Sequence, residues 1–421
     1  TVTGTLINDD ARNLIMSDGS QIFQNNADVP ATFSMRIINP QAWTEKNKDG
    51  WQFISSPFTN AKLSDFTSAD TYDLYRYDGT NTNEEWLNDK DPNGVTETEF
   101  IQGRAYLASY QTAEEVELTG SFYTNNVYNF AQKYDFTYNP EGNLENFHLI
   151  GNPFTFDMEW TNIQKNGVVN GYAVVNDNGV YEYYNSGTIK VGDGFFVKTT
   201  SNTVQFEYAD NYTATRNREK SNSINIKLKS KSGNDNVIVS FDGREEGFTK
   251  LDNFNDESAV ISVVDNDRRY AIVNYDEDVK EVKLAFEASK MGVYTIEIEP
   301  DGDFDKIILV DRFTGEETDM LNGSYKFTAS NQDDYNRFLI KLGDGGQEPT
   351  EEGDFVYQSG EELILKGKGV LQIVDVMGRV VYAEEVFNDV NRIDISALRD
   401  AAYIVRVIGE EGVKVKKVVV Y

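Results

Sequence analysis

Four short apolar runs decide the fold of residues 354–421: V-D-V-M-G-R-V-V-Y at 374–382, I-D-I-S-A-L at 393–398, A-A-Y-I-V-R-V-I-G at 401–409 and V-K-V-K-K-V-V-V-Y at 413–421. In the third run Tyr403 and Val405 alternate with Ile404 and Arg406, which is the period of a strand with one face on a core and one face partly wet. Within the first run, Gly378 separates two apolar segments, and a glycine in such a place takes a positive φ angle and closes a hairpin. The runs predict a small β-sandwich.

The last run is basic. Val413 and Val415 alternate with Lys414 and Lys416, and Lys417 then breaks the phase before the valines resume. One extra residue in a strand is typical of a β-bulge, so the sequence predicts a bulge at Lys417.

In this order, the four runs resemble the C-terminal sorting domain of proteins exported by the type IX secretion system of Bacteroidota. The resemblance implies an immunoglobulin-like sandwich that passes an outer-membrane translocon and is bound by an outer-membrane shuttle protein. It also implies a sortase that often removes the domain and attaches the cargo to surface lipopolysaccharide. The expected location is the cell surface or the extracellular space, after export across the outer membrane.

The resemblance assigns partner recognition to a G-R turn, a tyrosine with its strand, and a basic last strand; in this chain they are Gly378, Arg379, Tyr403, Val405, Lys414, Lys416 and Lys417. The chain departs from the family at Ala401 and Ala402, where glycine is usual, and it lacks the P-N-P entry motif of one branch. From the residue pattern alone, a plain small sandwich remains the alternative.

Composition narrows the function classes. The chain has 421 residues, with 39 Lys plus Arg against 70 Asp plus Glu, a formal net charge of -31 that argues against binding a phosphate backbone. Residues 354–421 carry 11 acidic and 9 basic side chains, a net of -2, so residues 1–353 carry -29. The absence of cysteine excludes disulfides and thiolate metal sites. No apolar run reaches the ~18 residues of a membrane-spanning helix. No signal peptide is seen, which favours a mature or partial chain.

Upstream, the pattern is all-β: runs of four to eight strand-like residues alternate with D-G, N-G, D-N and N-D turns. Residues 1–38 look like short rungs at the end of a β-solenoid. Residues 39–212 contain an internal repeat, about 50–122 and 146–208, because Trp51–Phe58 matches Phe147–Phe154 at an offset of 96 residues. The repeat predicts a two-sheet sandwich or a pair of them, within a chain of tandem β-sandwiches of immunoglobulin-like or jelly-roll-like type.

A further sandwich is predicted over residues 222–342, where at least four strands each have one apolar face. Residues 343–353 read as a linker, because glycine, proline and acidic residues dominate and no apolar side chain anchors them. A sortase would cut in or near this segment, although a plain interdomain hinge has the same composition.

The sequence offers little chemistry. The single histidine, His148, lies in an alternating strand, where a packing role is favoured over catalysis. Asp301, Asp303 and Asp305 alternate as in a calcium loop, but Lys306 and Arg312 stand where an EF-hand needs glycine and glutamate. We therefore predict no catalytic residue, no metal site and no cofactor.

Aromatic residues, 13% of the chain, raise one alternative function. Trp86 is predicted to lie in a polar loop, where an exposed indole could stack on a sugar ring, and Tyr181 and Tyr183 could add a platform. The competing hypothesis is therefore a surface glycan-binding, adhesin-like module. A tryptophan folded back on its own strands would explain the same pattern.

Overall fold

The computed structural model describes residues 6–22, 29–36, 50–67, 72–79, 85–92, 94–95, 97–111, 115–123, 127–130, 146–176, 178–208, 222–243, 245–321, 323–330, 336–343, 355–359, 362–375, 378–388, 390–399, 401–409 and 412–420. Strands make up most of these residues, beside a 3-10 turn at Ala11–Asn13 and a short α-helix, α1, at Leu63–Thr67. The all-β prediction is confirmed, and the strands form several packed sheets.

The first unit has two sheets. Its strands are β1 (Ile15–Met16), β2 (Pro30–Arg36), β3 (Gln52–Ser55), β4 (Phe58–Thr59), β5 (Tyr72–Tyr77), β6 (Trp86–Asn88), β7 (Ala105–Tyr110) and β8 (Glu115–Phe122). One sheet has the order β1-β2-β8-β4 and the other the order β3-β7-β5-β6. β2 pairs with β8 along its whole length, so residues 30–36 belong to this unit although the sequence assigned them to a solenoid end. The solenoid end stays a prediction.

The second unit repeats this plan. Its strands are β9 (Val127–Asn129), β10 (Phe147–Gly151), β11 (Met158–Glu159), β12 (Gln164–Asn166), β13 (Tyr172–Val175), β14 (Tyr181–Tyr184), β15 (Thr188–Ile189), β16 (Gly194–Lys198) and β17 (Gln205–Glu207). The order β10-β16-β13-β14 matches β3-β7-β5-β6, and the order β12-β17-β9 matches β4-β8-β2. β11 and β15 form a separate pair. The matching segments of the internal repeat thus occupy equivalent strands.

The two units meet through equivalent positions. The Ser55 N–H donates to the Gly192 carbonyl at 2.7 Å, and the Gly151 N–H donates to the Gly103 carbonyl at 2.9 Å. Ser55 pairs with Ala105 in the first unit and Gly151 with Gly194 in the second, and the two accepting carbonyls, of Gly103 and Gly192, each lie two residues before those paired positions, so the contact has approximate two-fold symmetry. A Cβ atom on Gly194 would lie 2.4 Å from the Ala105 Cβ, and only glycine allows this close approach.

The third unit is one sheet wrapped around one core. Its strands are β18 (Ser223–Ser230), β19 (Gly233–Ser240), β20 (Phe248–Thr249), β21 (Val260–Asp265), β22 (Arg268–Asn274), β23 (Glu281–Glu287), β24 (Gly292–Asp301), β25 (Ile307–Asp311), β26 (Glu316–Asp319), β27 (Ser324–Ala329) and β28 (Phe338–Leu342). The order is β26-β25-β28-β23-β21-β22-β19-β18-β24-β27, with β20 beside β22. The inward residues of alternating strands, among them Ile226, Val239 and Ile296, fill a continuous apolar core.

The C-terminal unit is a seven-stranded sandwich. Its strands are β29 (Val356–Ser359), β30 (Glu362–Lys366), β31 (Gly369–Asp375), β32 (Val380–Val386), β33 (Val390–Asp394), β34 (Ala401–Gly409) and β35 (Gly412–Val420). The sheet β29-β30-β33 packs on the sheet β32-β31-β34-β35 across a core that includes Leu365, Leu371, Val405 and Val418. The immunoglobulin-like subtype stays a prediction.

Candidate functional site

The G-R turn joins β31 to β32. Gly378 has a φ of 83°, the left-handed conformation that its position between apolar runs predicts. The Asp375 carboxylate accepts from the Arg379 backbone N–H at 2.9 Å and from the Arg379 Nε at 2.7 Å. Arg379 therefore stabilises the turn in which it lies by binding Asp375, and its side chain remains 73% exposed. Met377 lies outside the described residues.

Tyr403 lies near the start of β34, at the same end of the sheet as the G-R turn. Its ring is buried, and its hydroxyl donates to the Arg399 carbonyl four residues upstream, at 3.0 Å. The contact resembles the tyrosine corner of immunoglobulin-like sandwiches, in which the hydroxyl fixes the chain where it enters a core strand. Tyr403 also lies directly across from Asp375 in the β31–β34 pair, so the turn and the corner are neighbours.

Val405 is a core residue. It is fully buried, two residues along β34 from Tyr403 and on the same face. Val405 packs between the two sheets. A partner protein would not contact it directly, so any effect of Val405 on recognition would act through the stability of the fold.

The last strand, β35, is an edge strand. Its pairing with β34 runs without interruption from Ala401–Val420 to Gly409–Gly412, so the bulge predicted at Lys417 is absent. Lys414 and Lys416 lie opposite the buried Val407 and Val405, whereas Lys417 lies opposite Ile404 on the outer side.

The phase break at Lys417 therefore marks a change of environment within a regular strand. Val418 and Val420 are buried, but the core-side positions toward the start of the strand are lysines, half-buried at Lys416 and exposed at Lys414. Inward-pointing charge on an edge strand is a known protection against pairing with another chain.

The predicted recognition residues do not form one cluster. Gly378, Arg379 and Tyr403 lie at one end of the four-stranded sheet, while Lys414 lies toward the other end of β35. The structure adds a feature that the sequence reasoning passed over, because the solvent side of this sheet is also apolar, with Ile404, Ile408 and Val415 exposed. The sequence does contain a sign of this apolar outer side. In the third run the predicted solvent-facing positions are Ile404, Arg406 and Ile408, and two of these three are aliphatic.

Among the described residues of this sandwich, shifted pKa values have local causes. The hydrogen bond that the Tyr382 hydroxyl donates to Glu384 raises the pKa of Tyr382 to about 12. Hydrogen bonds from Ser396 lower the pKa of Asp394.

The predicted glycan platform is not exposed at its two tyrosines. Tyr181 and Tyr183 are buried on β14, so neither ring offers a face to a sugar. Tyr183 receives a hydrogen bond from the Leu251 N–H at 3.0 Å, and the Lys250 ammonium lies 4.3 Å from its ring centroid. These partners lie some 70 residues downstream, which is why the sequence neighbourhood did not reveal the burial.

Trp86 lies on strand β6, not in a loop, and its ring is half-buried. It stacks on Phe53 at 6.4 Å between ring centroids with planes 13° apart, and it also contacts Tyr77, Phe196 and Phe254. Packing satisfies this indole, so no observation favours the glycan-binding alternative.

Two buried ion pairs stabilise the third unit. Lys250 Nζ lies 2.7 Å from Asp235 Oδ1, and burial raises the pKa of Asp235 and lowers that of Lys250. Arg337 binds Asp311 with its Nη2 2.6 Å from Oδ2, and the Tyr325 hydroxyl donates to the same oxygen at 2.8 Å. Each carboxylate is thus paired and hydrogen-bonded, as burial of charge requires.

A cleft of about 550 Å³ lies beside α1. Two of its carboxylates have structural partners: Asp89 accepts from the Tyr72 hydroxyl at 2.8 Å, and Glu97 binds Arg76 and Arg104. Within the described ranges no group of three or more metal-capable side chains comes together. His148 is buried on β10, paired across the sheet with Val197.

Comparison with known families identifies the last unit. Residues 360–421 match the model of the secretion system C-terminal sorting domain. No curated protein matches the chain. The C-terminal sandwich is therefore a type IX secretion sorting domain, and the chain is a cargo that is exported across the outer membrane to the cell surface or the extracellular space. In the described part of the chain, no helix is both long and apolar enough to span a membrane.

Proposed function

We propose that residues 354–421 are the part of the chain that an outer-membrane shuttle protein recognises after the chain has passed the translocon. The match of residues 360–421 to the sorting domain supports this proposal most directly. The sandwich is a folded recognition unit with its own core, in which the G-R turn and the Tyr403 corner fix the ends of β31 and β34. Recognition by a folded tail needs no reaction at this site.

The second part of the proposal concerns cleavage in residues 343–353 by a sortase, which would then attach the cargo to surface lipopolysaccharide. Its support is the composition of the segment, since residues 344–353 lie outside the described residues. On either side, β28 ends at Leu342 and β29 begins at Val356, so cutting between them would leave both sandwiches whole.

The third part assigns a structural, spacer-like role to the upstream units, with no catalytic activity. Supporting it, the second and third units share a buried polar junction: Tyr183 and Asn236 exchange hydrogen bonds of 3.0 Å and 2.9 Å through backbone and side-chain amide groups. The Asn253 carboxamide accepts from the Tyr181 N–H at 2.8 Å across the same junction. Buried, satisfied contacts of this kind resist hinge motion.

Residues 1–421 behind a periplasmic export leader, produced in a type IX-competent host, test the recognition step, with a chain ending at Leu342 as the control. The full chain should be sensitive to added protease at the cell surface, and the shortened chain should remain in the periplasm. Equal surface exposure of both would contradict the proposal.

Mass spectrometry of the surface pool tests cleavage separately: a new C-terminus within 343–353, lost in a sortase-deficient host, is expected. An intact Tyr421 terminus would remove the sortase step alone.

A further inference from the structure

Exposed aliphatic side chains concentrate in the C-terminal sandwich. Of the fourteen large hydrophobic residues that are exposed in the described part of the chain, nine lie between residues 356 and 420. Since this stretch is less than one fifth of the 421 residues, the enrichment is local to the sorting domain. Large exposed apolar surface on a soluble domain marks a place where something binds.

Strand register gathers most of these side chains on one surface. We call it the outer sheet face: the solvent side of β32-β31-β34-β35. Its cross-strand rows are Val380, Val374, Ile404 and Lys417; then Ala383, Gln372, Arg406 and Val415; then Glu385, Val370 and Ile408. Val380 is 48% exposed, Ile404 37%, Ile408 40% and Val415 59%.

The other side of the same strands already forms the core. Leu371, Ile373, Val405 and Val407 are buried against the opposite sheet. The sheet is therefore apolar on both sides, whereas an antiparallel sheet with one wet side normally alternates apolar and polar residues. A sheet with two apolar faces is built to be covered on both.

The charges on the outer sheet face indicate what covers it. Arg406 and Lys417 stand among the aliphatic rows, and the one carboxylate that these described rows contain is Glu385. The Arg406 Nε donates to the Oε1 of its cross-strand neighbour Gln372 at 2.6 Å, which ties the guanidinium to the adjacent strand. The complementary surface is apolar and carries carboxylates. An anionic lipid surface would also meet Arg406 and Lys417, but it would repel a chain whose net charge is -31.

We propose that the outer sheet face is where the shuttle docks, through an apolar protein surface bordered by carboxylates. This inference rests on the proposed function, which supplies the partner, and it adds the surface. It places recognition on the face of the sheet and not on the free edge of β35, where Lys414 and Lys416 discourage strand pairing.

A photo-crosslinking amino acid placed in the full chain tests the surface in secreting cells. Val415 and Ile404 are the test positions, and Val390 and Tyr357 are matched controls, since they are 55% and 45% exposed on the other sheet of the same sandwich. We expect crosslinks to the outer-membrane shuttle, identified by mass spectrometry, from the test positions at least tenfold above those from the controls. Crosslinks mainly to lipid, to a second copy of the chain, or from the control positions would overturn the proposal.

Substitutions give an independent readout. Ile404→Glu with Val415→Glu should reduce surface delivery at least tenfold, and Val390→Glu with Tyr357→Glu should leave it near wild type, while circular dichroism shows both proteins folded. Normal delivery of the folded Ile404→Glu, Val415→Glu protein would overturn the docking surface alone. Failure of the unmodified chain to reach the surface would overturn the proposed function, so the two failures are distinguishable.

Discussion

Removing the hydroxyl of Tyr403 should weaken the sorting domain measurably without unfolding it. The Tyr403→Phe substitution deletes one hydrogen bond, the 3.0 Å bond to the Arg399 carbonyl, and keeps the buried ring. A hydrogen bond of this kind contributes about 1 kcal/mol net. Since a core in a domain of fewer than ~80 residues rarely supplies more than about 3–5 kcal/mol, this loss is a large fraction of the total.

Hydrogen–deuterium exchange of the full chain measures this loss locally. If exchange in residues 401–409 requires opening of the sandwich, a loss of about 1 kcal/mol should speed it about fivefold. Tyr403→Ala also removes the ring, and truncating a buried aromatic side chain costs about 3–5 kcal/mol. That cost matches the whole stability of the domain, so Tyr403→Ala should unfold the sandwich and abolish surface delivery.

Tyr357→Phe is the matched control, because Tyr357 is an exposed tyrosine on β29 of the same sandwich. Its exchange rates should stay within experimental error of the wild type. Unchanged exchange in Tyr403→Phe would refute the structural role of the corner. Normal surface delivery of an unfolded Tyr403→Ala chain would refute the requirement for a folded tail.

Three further predictions concern the upstream units. Arg337→Met leaves Asp311 buried without its cation and should cost about 3–5 kcal/mol in chemical denaturation, whereas adding Asp311→Leu should recover part of it; equal losses would contradict this. Gly194→Ala puts a Cβ against the facing sheet and should cost about 1–3 kcal/mol, while Gly292→Ala, with its nearest atom at 3.7 Å, should cost at most about 1 kcal/mol; reversal of that order would sink the argument. Burial lowers the pKa of the Lys165 ammonium from its ordinary 10.5 to about 8. Between these two pH values the unfolded state binds more protons than the folded state, so this group makes folding more favourable as pH rises. An NMR titration of the Lys165 ε-carbon with a midpoint near 10.5 would contradict the burial.

Local pattern predicted the elements of the sorting domain well. The alternation around Tyr403 and Val405 correctly separates the core side of β34 from its wet side, and the positive φ of Gly378 follows from its place between apolar runs. These features depend on neighbours within a few residues, which a sequence displays directly. The order of the runs carried the family resemblance, and the match of residues 360–421 confirms it.

Contacts between distant segments escaped the same reasoning. Trp86 reads as an exposed residue in a polar stretch, but part of its packing environment is Phe196 and Phe254, more than 100 residues away. The partners of the Asp311–Arg337 pair are 26 residues apart and carry no local signal. The bulge predicted at Lys417 was wrong for a local reason. The apolar alternation changes phase there because a regular strand passes from exposed to buried surroundings, and this change looks the same in sequence as the extra residue of a bulge.

The C-terminal sandwich is a sorting signal. Localisation of a periplasmically directed fluorescent reporter fused to residues 343–421, in a Bacteroidota host, tests it most directly. The matched copy lacks Lys414–Tyr421, and with them Val418 and Val420 from the core. We predict reporter at the cell surface with the intact tail and in the periplasm with the shortened one. Reporter trapped in the periplasm with both tails would contradict the claim.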